Sequence, residues 1–86
     1  MTKRISSQHP SEKESSLRTL RETAGLTQDQ LAFHLQVASS TVRRWEKGTE
    51  PSLSVLQMKK FCQLVGKSLE ELPDYLGKPL NTDGTN

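Results

Sequence analysis

The 86-residue sequence has a single cysteine, Cys62, which excludes an internal disulfide and a multi-thiolate zinc site and agrees with a reducing compartment. Long apolar runs are missing too. None approaches the ~20 residues that a membrane-spanning helix needs, and the first residues lack the apolar stretch of a secretory signal. No membrane association is expected, and the chain is assigned to the cytoplasm. Large apolar side chains are scarce: Leu, Ile, Val and Phe number 19 of 86, close to the composition of a disordered chain. The shortage is uneven, however. Residues 1–16 hold only Met1 and Ile5 as large apolar groups, whereas Leu17 to Leu76 hold 17 Leu, Val and Phe in 60 residues. This places one folded domain over 11–76, between a disordered N-terminal tail (1–10) and a disordered C-terminal tail (77–86). With no disulfide or metal to help, packing alone must hold roughly 3–9 kcal/mol of stability.

Apolar-polar alternation of strand length is also absent, and the punctuation is that of helices. Four hydroxyl residues are each followed three positions later by Glu or Gln: Ser11 with Glu14, Thr27 with Gln30, Ser54 with Gln57, and Ser68 with Glu71. In that arrangement two side chains satisfy the free amides of a helix start reciprocally. Leu26 with Leu31 and Leu53 with Met58 add apolar staples at two of the starts. Gly25, Gly48 and Gly66 fall where helices end, and Pro51 and Pro73 block continuation. The spacing predicts an all-α, compact bundle of five short helices, at about 12–24, 28–35, 39–47, 55–65 and a single turn after Ser68. Leu17, Leu20, Leu31, Leu35, Val42, Trp45 and Phe61 form the expected core, with Met58, Cys62 and Val65 also turned inward.

The net charge of +2 conceals a gradient: residues 1–37 carry +1, residues 38–60 carry +3 and residues 61–86 carry −2. Turning about 100° per residue along 39–47 separates two faces. Arg43, Lys47, Ser40 and Arg44 share one side, and Thr41, Trp45 and Val42 the other. Composition alone favours a merely solvated face. The preceding short helix changes that balance, because two short helices joined by about three residues, the second with a basic face, form a helix-turn-helix. A helix bearing Ser, Arg, Arg and Lys outward suits the DNA major groove, where an arginine fork pairs with guanine.

The run Leu20-Arg21-Glu22-Thr23-Ala24-Gly25-Leu26-Thr27-Gln28-Asp29-Gln30-Leu31-Ala32, with Val42-Arg43-Arg44-Trp45-Glu46-Lys47-Gly48 and the later Gly66-Lys67-Ser68-Leu69-Glu70-Glu71-Leu72, resembles the Xre-type family of Cro and phage-repressor DNA-binding domains. The likeness covers about residues 14–72. It implies a lambda-repressor-like fold and a sequence-specific transcriptional regulator with double-stranded DNA as partner, located at the nucleoid when bound. By the same resemblance Ser39, Ser40 and Arg44 contact bases, and Thr27, Gln28, Arg43 and Lys47 meet or flank phosphates, with Thr27 foremost a helix cap. Arg21 and Glu46 are expected as a structural ion pair. Two residues depart from the family pattern in the turn. Gln36 stands where glycine is usual and Ala38 where a hydroxyl cap is usual, so the turn is expected to be strained, or shifted with Ser39 taking the cap.

Other residues carry blander readings. Trp45 is core and not a base-stacking group, Lys59 and Lys60 face solvent, and Lys3 and Arg4 belong to a loose basic tail. His9, His34 and Cys62 are scattered, with no metal-ligand spacing and no catalytic set, so neither a cofactor nor an enzymatic activity is expected. The alternative function is a protein-interaction or adaptor module of the same fold that touches DNA weakly. An antidote of a toxin pair ranks below it, since Lys78 to Asn86 is short for a toxin-wrapping tail. A homodimer, if not formed on DNA, is expected to use Leu72, Tyr75 and Leu76.

Overall fold

The computed structural model describes residues 14–79. It contains α1 (Ser16–Thr23), α2 (Gln28–Leu35), α3 (Ser39–Glu46) and α4 (Val55–Val65), followed by a 3-10 turn at Leu69–Glu71. The described residues are thus all-helical, and the fifth expected helix is this one 3-10 turn.

The caps explain the boundaries. At α2, Gln30 N–H donates to Thr27 Oγ1 and Thr27 N–H donates to Gln30 Oε1, at 3.0 and 2.8 Å. At α4, Ser54 and Gln57 repeat the exchange at 3.0 and 2.8 Å. Gln57 does more than cap: its Nε2 donates to the Leu35 carbonyl at 2.9 Å, which ties the start of α4 to the end of α2. Ser68 N–H donates to Glu71 Oε1 at 2.8 Å. That bond favours the ionised carboxylate and holds Glu71 below the usual carboxylate range. The end of α1 is closed by Gly25, whose left-handed φ of 78° lets Gly25 N–H reach Glu22 O and Leu26 N–H reach Arg21 O.

The start of α1 differs from the expected one at residue 12. Ser11 lies outside the described residues, as does the whole expected tail 1–10, but Glu14 is in a bend and Ser15 is the cap, accepting from Arg18 N–H at 3.1 Å. The reason is tertiary. Ser16 N–H and Ser16 Oγ both donate to the Lys78 carbonyl at 2.6 Å, and Leu17 N–H donates to the Leu76 carbonyl at 3.0 Å. The free amides that open α1 are therefore taken by the returning C-terminal segment.

The same return engages Leu76 and Gly77. A tail was expected from residue 77, yet Gly77 is buried, and Glu50 Oε2 and Oε1 accept from Leu76 and Gly77 N–H, each at 2.9 Å. Leu76 joins the core with Leu17, Leu20, Leu31, Ala32, Leu35, Val42, Trp45 and Phe61. Met58, Val65 and Leu72 pack against that cluster while half-buried, and Cys62 is half-buried as well. The expected homodimer contact at Leu76 is accordingly corrected. At 4% exposure its side chain is spent inside its own chain, whereas Tyr75 keeps 54% of its surface.

Candidate nucleic-acid interface

The packing of α3 against α1 and α2 decides which of its side chains can meet a ligand. Val42 and Trp45 turn into the core at 0% and 5% exposure. Ser40, Arg43, Arg44 and Lys47 are exposed, with Ser39 and Thr41 half-buried at the margin. Among the described residues no salt bridge involves Arg43, Arg44 or Lys47. Three cations without a carboxylate partner among the described residues therefore share one side of a short helix, an arrangement that attracts an anionic polymer. Arg18, by contrast, is held by Glu22 at 3.0 Å and Glu14 at 3.8 Å. The hydrogen bond to Glu22 raises its affinity for its proton further.

Behind that face lies a buried charge network. Arg21 Nε donates to Glu46 Oε2 at 2.6 Å and Arg21 Nη2 to Glu46 Oε1 at 3.2 Å, while Nη1 donates to the Leu26 carbonyl at 2.7 Å. The two side chains are only 9% and 5% exposed. Such a pair is tolerable out of water because the carboxylate and the guanidinium are both hydrogen-bonded. Gln28 completes the network: its Nε2 donates to Glu46 Oε1 at 3.0 Å. The side chain expected on phosphate is thus anchored to α3 in the free protein, with one amide N–H still to give. Thr27 is exposed and occupied by its cap. The first turn of α2 is thereby tied to α3, and its acidic residue, Asp29, offsets the positive end of the helix dipole.

The turn between α2 and α3 takes the strained course. Gln36 has φ 60° and ψ 45°, the only positive φ outside glycine among the described residues. Ala38 occupies the cap of α3 without a side-chain hydrogen bond. Ser39 does not replace it, since its hydroxyl donates instead to Asp29 Oδ1. Asp29 was not singled out in the sequence, where an acidic residue in the first turn of a helix reads as dipole compensation. No local spacing would have paired it with a residue ten positions away.

Among the described residues no group of His, Cys, Asp and Glu is disposed to hold a metal ion, and no helix is long and apolar enough to cross a membrane. His9, Lys3 and Arg4 lie outside the described residues. His34 packs edge-on to Phe33, ring centroids 5.7 Å apart, and Lys59 and Lys60 are exposed.

Comparison with protein-family models finds a match, described as Helix-turn-helix, over residues 17–72. Comparison with curated proteins and with solved structures finds no match.

Proposed function

We propose that this chain, which belongs to the Xre-type helix-turn-helix family, is a sequence-specific, repressor-like transcriptional regulator that sets α3 in the major groove and the start of α2 on the phosphate backbone. The family is one of DNA-binding domains and not of enzymes. The observation that carries the reading is the exposed row Arg43, Arg44 and Lys47, free of salt bridges among the described residues, on the side of α3 opposite Val42 and Trp45. On this reading Arg44, with Ser39 and Ser40, reads base edges. Arg43 and Lys47 flank the groove, and Gln28 adds its remaining amide N–H to the backbone amides at the start of α2. One such module buries too little surface for tight specific binding, so two copies are expected on half-sites about one DNA turn apart. With Leu76 internal, Tyr75 and half-buried Leu72 remain for contact between copies.

Selection of bound duplexes from a random pool tests the reading. A groove reader enriches one motif, in two halves at a fixed spacing, and loses affinity steeply as salt rises. A second reading, a protein-interaction module, draws on the exposed Phe33, Val55, Leu56 and Leu69, each more than 60% accessible. It predicts no enriched motif and only shallow salt dependence.

A further inference from the structure

We infer that Asp29 fixes the hydrogen-bonding polarity of Ser39, so that Ser39 accepts only from a base carrying a major-groove amine, adenine or cytosine. The inference rests on the docking of α3 proposed above. A serine at a base edge is ordinarily ambiguous, because its hydroxyl has one proton to give and lone pairs to receive. Here the ambiguity is removed. Ser39 Oγ donates to Asp29 Oδ1, and an ionised carboxylate is acceptor-only, so the single hydroxyl proton is committed to α2. What Ser39 presents outward is lone pair.

Ser39 is the first residue of α3, and the N-terminal residues of a helix lying in the groove are those that meet base edges. In the major groove the available donors are adenine N6 and cytosine N4, whereas guanine O6 and N7 and thymine O4 are acceptors that would face lone pairs. The carboxylate strengthens the bias. Asp29 is itself exposed and carries a second oxygen that also only accepts. Guanine or thymine opposite this pair would meet acceptors on both residues with no proton between them. A residue outside the cationic row thus selects by exclusion, while Arg44 selects by attraction.

The test is selection from a random duplex pool with the unaltered chain, Asp29→Ala and Ser39→Ala, each checked for a cooperative melt. The unaltered chain should enrich adenine or cytosine at one position. Asp29→Ala frees the hydroxyl proton, so guanine and thymine should rise there to within about twofold of adenine and cytosine, the other positions keeping their preference. Ser39→Ala should weaken the preference at that same position to what the exposed Asp29 carboxylate alone imposes. Asp29→Asn is the second variant, because its amide brings donors to the site and should likewise admit guanine and thymine. An unchanged preference in the Asp29 variants, with the rest of the motif still selected, overturns the inference and leaves the docking of α3 standing. An unaltered chain that enriches no sequence overturns both.

Discussion

Arg44 leaves α3 on its exposed side with none of its guanidinium donors committed to a carboxylate among the described residues. A free planar fork of this kind discriminates between bases, whereas a point charge mainly adds affinity. Arg44→Ala is therefore expected to weaken binding to the selected duplex by ~1–3 kcal/mol and to relax preference at one base position, read by titration against selected and random duplexes. An equal loss on both would move Arg44 to the phosphates. Gln36 shows the opposite kind of residue, one that costs the fold something. Its left-handed backbone, φ 60°, carries a penalty of ~1–2 kcal/mol that glycine avoids. Glycine gives part of this back through its greater loss of chain entropy on folding. Gln36→Gly should then raise stability by ~0.5–1 kcal/mol, seen as a higher urea midpoint at unchanged slope. A lower midpoint would mean that the Gln36 side chain makes a stabilising contact of its own.

Between elements, the Arg21–Glu46–Gln28 network does for α1, α2 and α3 what the core does without direction: it fixes their register. Removing one charge strands the other at 9% exposure or less, a change that typically costs ~3–5 kcal/mol. Glu46→Ala should fall in that range in chemical denaturation. The double variant Arg21→Met, Glu46→Leu should lose clearly less, since replacing a whole buried pair by apolar groups is often near neutral. A double variant as damaged as the single would assign the cost to the lost hydrogen bonds of Leu26 and Gln28. How much of this was legible follows from sequence distance. Capping pairs three residues apart are written locally: α2 and α4 begin at the residues that their caps mark, and α4 ends at Gly66, whereas α2 ends at Gln36 with no glycine to mark it. The ion pair spans 25 residues and was expected only through family resemblance. The bond between Ser39 and Asp29 spans ten, and no helical or strand periodicity links those positions.

At the scale of the whole molecule, the least legible feature was the return of the C-terminal segment. Ser16 and Lys78 are 62 residues apart, and the composition of the last residues suggested only a tail. Glu50 organises that return, accepting from both Leu76 and Gly77 N–H, and in doing so it seats Leu76 in the core and sets the Lys78 carbonyl on Ser16. Gly77 is needed for close approach: a Cβ there would lie 2.8 Å from the Gly48 carbonyl oxygen and 3.0 Å from the backbone of Thr49, and neither is a flexible side chain. Glu50→Ala should cost ~1.5–3 kcal/mol through the lost charge-assisted bonds, and Gly77→Ala ~1–3 kcal/mol through overpacking. Because both changes open the same clasp, the double variant should cost less than their sum. Both single variants should speed amide hydrogen exchange at Ser16 and Leu17, whose partners are the Lys78 and Leu76 carbonyls. Strict additivity, with exchange at those two amides unchanged, would show that the segment and α1 do not open together, and would leave the start of α1 to the Ser15 cap alone.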